Sequence, residues 1–297
     1  MIGRGPWFGR TASGVAAFIC ATALIGPAQA TSVPAVQQAA THANSTVTRS
    51  ATARPPAGIS CHPVARGTIN YVCIIGYSVQ HRAIVAMRQG NASSQRVLVV
   101  NGQMHGEEWP GPLTVDAIRK LPVPANANFQ IWTIRTINPD GGRIGHRFTS
   151  RGIDLNGNFR FKYQHLPHTG PHALSEPESV AMARFLTWVQ PVLLISLHGF
   201  SEAVDTTGGG VRAAMARRFS ALSNITPAHV VPCNGPCHGN MTDWYTAKSR
   251  VGGVAFTVEM PHSSQIRRHC GVPNRSLATP IQCSAWAAVF MAARLPL

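Results

Sequence analysis

Residues 96–121 read RVLVVNGQMHGEEWPGPLTVDAIRKL, and this stretch decides the fold class. Its β-branched run at 96–101 predicts a buried strand, and 111–121 predicts a helix that follows a loop containing Gly and Pro. The same alternation recurs along the chain and predicts an α/β sandwich of the α/β/α type, with a mixed, largely parallel central sheet. The other predicted elements are strands at 129–137, 192–197 and 254–258 and helices at 176–190, 211–222 and 284–295.

Three predicted strands are followed by side chains that bind metals or transfer protons. His105 and Glu108 follow the first strand, and His198 and Glu259 directly follow two later strands. Ligands of such sheets bind at the carboxyl ends of the strands, so we expect these side chains to lie close together. Two His and one Glu supply the protein ligands of an open catalytic zinc site, and a second Glu can transfer protons. The sequence therefore predicts one Zn²⁺ per chain.

The composition excludes several classes of protein. The 297 residues include 26 Lys+Arg and 11 Asp+Glu, which give a formal net charge of +15. No fixed repeat is present and apolar content is ordinary, which excludes collagen, coiled coils and a wholly disordered chain. The chain has no long basic block and no helix-turn-helix pattern, so we expect no nucleic-acid partner. The charge indicates either a diffuse solvated surface or electrostatic association with an anionic cell wall.

The N-terminus has the features of a targeting segment. Residues 1–30 contain two arginines, an apolar stretch and a small-x-small cleavage site at 28–30, which predict a signal peptide. Residues 31–57 contain no acid and no aromatic residue, which predicts a disordered leader or linker. We expect residues 58–297 to form one domain. We also expect a secreted or extracytoplasmic protein with no stable membrane anchor, and a monomer.

Six cysteines remain once the signal peptide and its Cys20 are removed. An even number in an exported chain predicts disulfides, although sequence alone does not decide which cysteines pair. We favour local pairing because each pair then closes a short loop. The alternative for 233–238 is a metal site, which lacks a second ligand pair at zinc-finger spacing. The favoured pairs are Cys61–Cys73, Cys233–Cys237 and Cys270–Cys283.

The chain also contains an ordered series of short motifs. They are GYSVQHRAI at 76–84, NGQMHGEE at 101–108, NPDG at 138–141, RGIDLNGNF at 151–159, SEPE at 175–178, SLH at 196–198, TDW at 242–244 and AFTVE at 255–259. Each motif is weak alone, but in this order the series resembles the zinc carboxypeptidases related to carboxypeptidases A and B, a family that includes bacterial murein-peptide amidases. The resemblance covers roughly residues 68–262. It implies a zinc-carboxypeptidase-like catalytic domain within 58–297.

The resemblance implies roles for individual side chains. His105, Glu108 and His198 match the zinc ligands of the family, and Glu259 matches its general acid/base. The other matches surround the metal. They are Arg147 as the cation that stabilises the oxyanion, its neighbour Arg151 as a second candidate that would bind substrate, Asp154 as the carboxylate that orients a zinc-bound histidine, and Asn156 as a substrate-binding residue.

The chain departs from the family pattern in two places. Gly157 stands where the family has the arginine that binds the C-terminal carboxylate of the substrate, and a guanidinium is hard to replace in that role. We consider Arg151, Arg160 and Arg267 as replacements. The stretch before 242–244 also lacks the tyrosine of the animal enzymes. Ordinary exopeptidase specificity is therefore open.

The sequence predicts a secreted zinc metallocarboxypeptidase that hydrolyses peptide bonds with zinc-activated water and Glu259. One alternative is an amidase or carboxypeptidase that acts on cell-wall peptides. A second alternative is a non-catalytic, wall-binding pseudoenzyme, against which the intact set of His105, Glu108, His198 and Glu259 argues.

Overall fold

The computed structural model begins after the N-terminal segments. The predicted signal peptide (1–30) lies outside the described residues, and so does most of the predicted leader (31–57). The described residues are 54–229, 238–262 and 266–296.

The described residues form ten strands and six helices. The strands are β1 (Ser60–Arg66), β2 (Ile69–Tyr77), β3 (Ala83–Gly90), β4 (Val97–Asn101), β5 (Gln130–Ile134), β6 (Leu193–Asp205), β7 (Thr226–Ala228), β8 (Val254–Pro261), β9 (Arg268–His269) and β10 (Leu277–Ala278). The helices are α1 (Pro110–Lys120), α2 (Pro139–Ile144), α3 (Pro177–Val189), α4 (Gly210–Ser223), α5 (Met241–Lys248) and α6 (Pro280–Ala292). None of these described helices has the length and apolarity needed to cross a membrane.

One eight-stranded sheet organises the fold. Its order is β1-β2-β3-β5-β4-β6-β7, and β8 pairs with β6. The strands β1, β2, β3 and β5 pair antiparallel, whereas β4 is parallel to β5 and β6, and β6 is parallel to β7 and β8. The structure therefore confirms the predicted α/β fold with a mixed, largely parallel sheet.

Helices cover both faces of the sheet. On one face α1, α4 and α6 pack together on a core that includes Ile118, Phe219 and Met291. On the other face α3 and α5 pack on a second core that includes Phe185 and Tyr245. The central strands β4 and β5 are buried along their whole length, and most of their side chains are apolar; the buried polar exceptions are Asn101, Gln130 and Thr133.

The predicted turn at 138–141 is the beginning of a short helix. The side chain of Asn138 accepts a hydrogen bond from the backbone N–H of Gly141, and Pro139 occupies the first helical position. Both are helix-start features, since an Asn cap satisfies a free N–H and proline has none to satisfy. The motif NPDG thus serves as a helix cap in this chain.

Two disulfides join neighbouring elements. Cys61 and Cys73 face each other across β1 and β2 and form one bond, and Cys270 bonds to Cys283 at the start of α6. Both are among the predicted local pairs. The third predicted pair, Cys233–Cys237, lies outside the described residues.

Candidate metal centre

The loop between β4 and α1 carries two of the three predicted metal ligands. The backbone N–H of Glu108 donates to the carbonyl of His105 at 3.2 Å, which closes a tight turn and brings both side chains to one side of the loop. Gly106 lets this loop pack closely, because a Cβ atom there would lie 2.2 Å from the carbonyl oxygen of His146. Any larger residue at 106 would displace the ligand loop.

The third predicted ligand comes from the neighbouring parallel strand. His198 lies on β6, which pairs with β4 and β8, and the three side chains meet at the carboxyl end of the sheet. The Nδ1 atom of His105 lies 2.7 Å from Oε1 of Glu108, and Nδ1 of His198 lies 3.1 Å from Oε2 of the same carboxylate. The two Nδ1 atoms are 3.3 Å apart. All three side chains are buried.

The opposite nitrogen of each imidazole is held by another polar group. Nε2 of His105 lies 3.1 Å from Oδ1 of Asp154, and Nε2 of His198 lies 3.1 Å from Oγ of Ser196. Ser196 in turn accepts a hydrogen bond from the Asn101 side chain at 3.0 Å. A ligating histidine normally donates its second N–H to such a partner, which fixes the ring and its tautomer.

These residues fit a zinc ion by their chemistry. Two imidazole nitrogens and a carboxylate converge within 4.8 Å of one another. Oε2 of Glu108 is buried and has no hydrogen-bond partner among the described residues, although it lies close to His198. An unsatisfied buried carboxylate oxygen is costly, and coordination to a metal would satisfy it. The group is therefore able to hold one metal ion of the kind that prefers N and O ligands.

The charges of the site favour a cation. Burial alone would raise the pKa of Glu108, but His198 and His105 outweigh it and hold that pKa at about 2. Burial also opposes ionisation of Asp154, yet His105 and Arg147 keep its pKa well below the usual range. Both carboxylates therefore remain ionised at neutral pH. Despite its burial, His105 has a pKa raised to about 9 by Asp154 and Glu108, so without a metal a proton balances part of this negative charge.

Arg147 lies beside the candidate ligands. Its Nε and Nη2 atoms donate to Oδ2 of Asp154 at 3.1 and 2.9 Å, and Nη1 lies 3.6 Å from Oε1 of Glu107. The guanidinium is thus held between two carboxylates, and its side chain stays 40% exposed. That exposure leaves part of the cation available to a substrate.

Glu259 lies on the strand next to His198. The two residues are directly paired in the register of β6 and β8, and Glu259 is 7% exposed. Burial raises the pKa of its carboxyl group above the usual value and Glu108 adds to the rise, while the interactions with His198, His105 and Arg147 limit it. A carboxylate with a raised pKa is suited to take up and release a proton near neutrality.

Of the two predicted substrate-binding residues, Asn156 lies near the candidate metal ligands and Arg151 lies at the surface, beside Glu176. The backbone N–H of Asn156 donates to Oδ1 of Asp154 at 2.8 Å, so Asn156 adjoins the carboxylate that holds His105. The side chain of Arg151 is 57% exposed, and its nearest described acid is Glu176, 3.9 Å away. Asn156 therefore lies close to the metal residues, whereas Arg151 interacts with the start of α3.

Sequence reasoning missed the residues that support the ligands. Asn101 and Ser196 orient His198, and Glu107 lies against Arg147. Asn101 and Ser196 stand within motifs, but their contact depends on the register of β4 and β6, in which they are direct partners. A polar residue at the end of an otherwise apolar strand was the available signal.

A comparison of the sequence with known families now adds to the geometry. The profile described as zinc carboxypeptidase matches residues 67–271, which is more than half of the chain. The chain belongs to the zinc carboxypeptidase family. Membership confirms the resemblance found in the motifs and assigns the chain to the metallopeptidase class of hydrolases.

Individual members of the zinc carboxypeptidase family are distant relatives of this chain. Murein peptide amidase A of Escherichia coli (strain K12) is 26% identical over 124 residues, which are 36% of this chain and 50% of that protein. The chain thus spans about half the length of the curated relatives that it matches.

Solved structures of the zinc carboxypeptidase family share the fold. Carboxypeptidase A from Helicoverpa armigera aligns with a TM-score of 0.58 and 16% identity over 77% of this chain and 68% of that one. A murein-tripeptide amidase from Escherichia coli O157 aligns with a TM-score of 0.53 and 18% identity over 82% of this chain and 94% of that one.

Proposed function

We infer that this chain is a zinc-dependent hydrolase that cleaves amide bonds in peptides. The observation that carries this proposal is the convergence of both histidine Nδ1 atoms on the Glu108 carboxylate, with each Nε2 atom held by its own polar partner. Hydrogen-bonded outer nitrogens and converging inner nitrogens are typical of metal sites.

The proposed mechanism assigns one task to each side chain. His105, Glu108 and His198 would hold the zinc ion. When bound, zinc polarises an amide carbonyl and lowers the pKa of water. Glu259 takes a proton from the attacking water and passes it to the leaving nitrogen, which its raised pKa supports. Arg147 lies where its cation can stabilise the negative charge that develops on the carbonyl oxygen.

Substitution of Glu259 tests the catalytic proposal. Because Glu259→Gln removes the proton acceptor and leaves His105, Glu108 and His198 intact, we expect one zinc per chain and a loss of turnover of about 10²–10⁴-fold. Metal analysis and peptide hydrolysis assays measure the two quantities. The proposed metal site is wrong if the wild-type protein contains no zinc and still hydrolyses peptides in the presence of a chelator. Retained activity in the variant removes Glu259 from its role.

A second candidate function is hydrolysis of cell-wall peptides. The position of the missing carboxylate-binding arginine, Gly157, faces Thr169, and a Cβ atom at 157 would lie 2.8 Å from the Thr169 methyl group. This close contact argues against an arginine at position 157 that binds the C-terminal carboxylate of a substrate. The E. coli relative is named a murein peptide amidase, which favours cell-wall peptides as substrates.

Cleavage of a mixed library distinguishes the two candidates. Ordinary peptides and muropeptides are incubated together with the zinc-loaded protein, and the products are identified by mass spectrometry. Preferential cleavage of muropeptides supports the second candidate, and removal of C-terminal residues from ordinary peptides supports a metallocarboxypeptidase. No cleavage of either class, with zinc bound, indicates the wall-binding pseudoenzyme.

The proposed location is outside the cytoplasm. The predicted signal peptide and the two disulfides support it, because disulfides persist in oxidising compartments. Expression of the full chain with and without residues 1–30 tests the proposal. We expect the full chain to be found outside the cytoplasm with its N-terminal segment removed.

A further inference from the structure

A cavity of about 400 Å³ lies between the beginning of α1, the end of β5 and α2. None of the proposed zinc ligands lines it, and neither do Glu259 and Arg147. Its wall nevertheless includes Gln103 and Trp109, which flank the loop that carries His105 and Glu108. The cavity is therefore a separate space that shares a wall with the candidate metal centre.

Apolar side chains form one part of the cavity wall. Trp109 and Leu113 line the cavity and each is 37% exposed, although both are large hydrophobic residues. Pro112 and Pro139 extend the same apolar surface. An exposed indole next to aliphatic groups in a concave space offers a surface on which a flat apolar group can stack.

Cations form the other part of the cavity wall. Arg135 donates through Nε to Asp116 at 2.9 Å, and Arg143 has no ion pair with any acid in the described part of the chain. No acidic residue lines the cavity within the described ranges. Among the described residues, the unpaired guanidinium of Arg143, next to Arg135 and with no carboxylate lining the cavity, favours an anion.

We propose that this cavity binds an organic anion with an apolar body, such as an aromatic carboxylate or sulfonate. The apolar body packs on Trp109 and Leu113, and the anionic group pairs with Arg143 and Arg135. The cavity volume of about 400 Å³ is typical of a site for a small molecule.

Calorimetric titration with naphthalene-2-sulfonate tests the proposal. The probe combines a flat apolar ring system with an anion, and 2-naphthalenemethanol serves as its neutral counterpart. We expect the sulfonate to bind at one site per chain and the alcohol to bind about tenfold more weakly, because the charged hydrogen bonds are lost. Equal binding of both compounds, or no binding of the sulfonate, overturns the proposal.

Two arginine variants locate the bound anion. Arg143→Gln removes a cation from the cavity wall, and Arg217→Gln removes an exposed cation from α4, so both change the net charge equally. We expect about tenfold weaker binding in the first variant and unchanged binding in the second. Equal affinities in both variants overturn the proposal, and thermal melting checks that both are folded.

Removal of the metal separates this cavity from the candidate metal centre. Binding of the sulfonate that persists in the presence of a chelator supports the cavity. Loss of binding together with the metal assigns the probe to the metal centre and overturns the proposal.

Discussion

At the scale of single residues, Ser196 supports the candidate metal centre through a hydrogen bond to His198. It lies between Asn101 and the outer nitrogen of His198, in a buried chain of hydrogen bonds. This chain fixes the orientation of the ring whose other nitrogen faces Glu108. We therefore expect the strength of metal binding at the candidate site to depend on Ser196, which would not contact the metal itself.

Loss of that hydroxyl is expected to weaken zinc binding. Ser196→Ala leaves His198 without its partner, and we expect zinc affinity to fall by about 10–100-fold. Competition with a chromophoric chelator measures the affinity. Ser93→Ala, on an exposed loop, is the matched control and should bind zinc as the wild type does. Equal affinities of the two variants contradict the orienting role.

Glu178 is a second residue whose surroundings determine its properties, because they shift the pKa of its carboxyl group. Oε1 accepts the backbone N–H of Val79 at 3.1 Å, while Oε2 is buried without a hydrogen-bond partner among the described residues. Burial raises the pKa of this carboxyl group to about 7, and the nearby carboxylates of Glu176 and Asp140 add to the rise. The folded protein therefore binds a proton that the unfolded chain releases near pH 4.5.

The raised pKa of Glu178 predicts that the stability of the folded protein depends on pH. The free energy of unfolding should decrease as the pH rises from about 4.5 to 7, because only the unfolded state ionises freely in that range. Glu178→Gln removes the ionisation, so we expect a stabilisation of about 3 kcal/mol at pH 8 and little change at pH 4. Thermal melts across this range measure the difference in stability between the variant and the wild type. If the variant is no more stable than the wild type at pH 8, burial of the ionised Glu178 carboxylate does not destabilise the fold, and the prediction is wrong.

At the scale of elements, the segment after the short turn Leu155–Gly157 explains the missing arginine. The Asn158 side chain donates to the carbonyls of Thr169 and His172, which holds this segment against Gly157. The Thr169 methyl group then fills the space in which a side chain at 157 would begin. The departure at Gly157 is therefore part of a local packing arrangement rather than a single change.

A double substitution tests whether the arginine can be restored. Gly157→Arg alone should lower the melting temperature, because its Cβ atom would meet the Thr169 methyl group. Thr169→Ser removes that methyl group and keeps the hydroxyl, which bonds to the carbonyls of Gln164 and Leu166, so the pair should regain stability. We also expect the pair to improve kcat/KM for peptides with a free C-terminus over amidated ones.

The single variants are the controls for that experiment. Thr169→Ser alone should change neither stability nor preference for the C-terminus. An unchanged preference in the stable double variant means that the substrate carboxylate is bound elsewhere or that none is required.

The sequence predicted the elements whose periodicity is strong. Strands β4 and β5 and helices α1, α3 and α4 lie within a few residues of their predicted bounds, because their apolar patterns are strong. Strand β6 begins close to its predicted start but continues to Asp205, well beyond the predicted end at 197. The first three strands were missed. β1 is mostly exposed and shows no apolar alternation, and β2 shifts register along its pairing with both neighbours.

The candidate site was predictable only in part for a related reason. The ligands were found because they follow strands, which is a property of the local sequence. The contact of Asn101 with Ser196 joins residues that are 95 positions apart in the chain. The contact of Asp154 with His105 joins residues 49 positions apart and was expected only from the family resemblance. Such contacts depend on strand register and loop packing, which a single sequence does not specify.

At the scale of the whole molecule, the excess of positive charge is a surface property. Residues 1–57 contain four arginines and no acid, so a domain that begins at 58 carries a formal charge of +11. Several of the few acids lie in and around the candidate metal centre, including Glu107, Glu108, Asp154 and Glu259. The remaining surface is therefore depleted of carboxylates.

This distribution predicts salt-dependent retention on an anionic cell wall. The protein should bind wall material that carries anionic polymers at low ionic strength and be released between about 0.1 and 1 M NaCl, because screening shortens the range of its charges. A sedimentation assay measures the bound fraction. Walls stripped of their anionic polymers are the control, and retention that is insensitive to salt contradicts an electrostatic association.

Asp154 has a consequence for any attempt to redesign this centre. One of its oxygens faces His105 and the other accepts both hydrogen bonds from Arg147, so a single carboxylate fixes a metal ligand and the neighbouring cation at once. A larger or smaller ion that rotates His105 will also shift the guanidinium. In the proposed mechanism, metal preference and charge stabilisation are therefore coupled, and an engineer who changes one should expect to optimise both together.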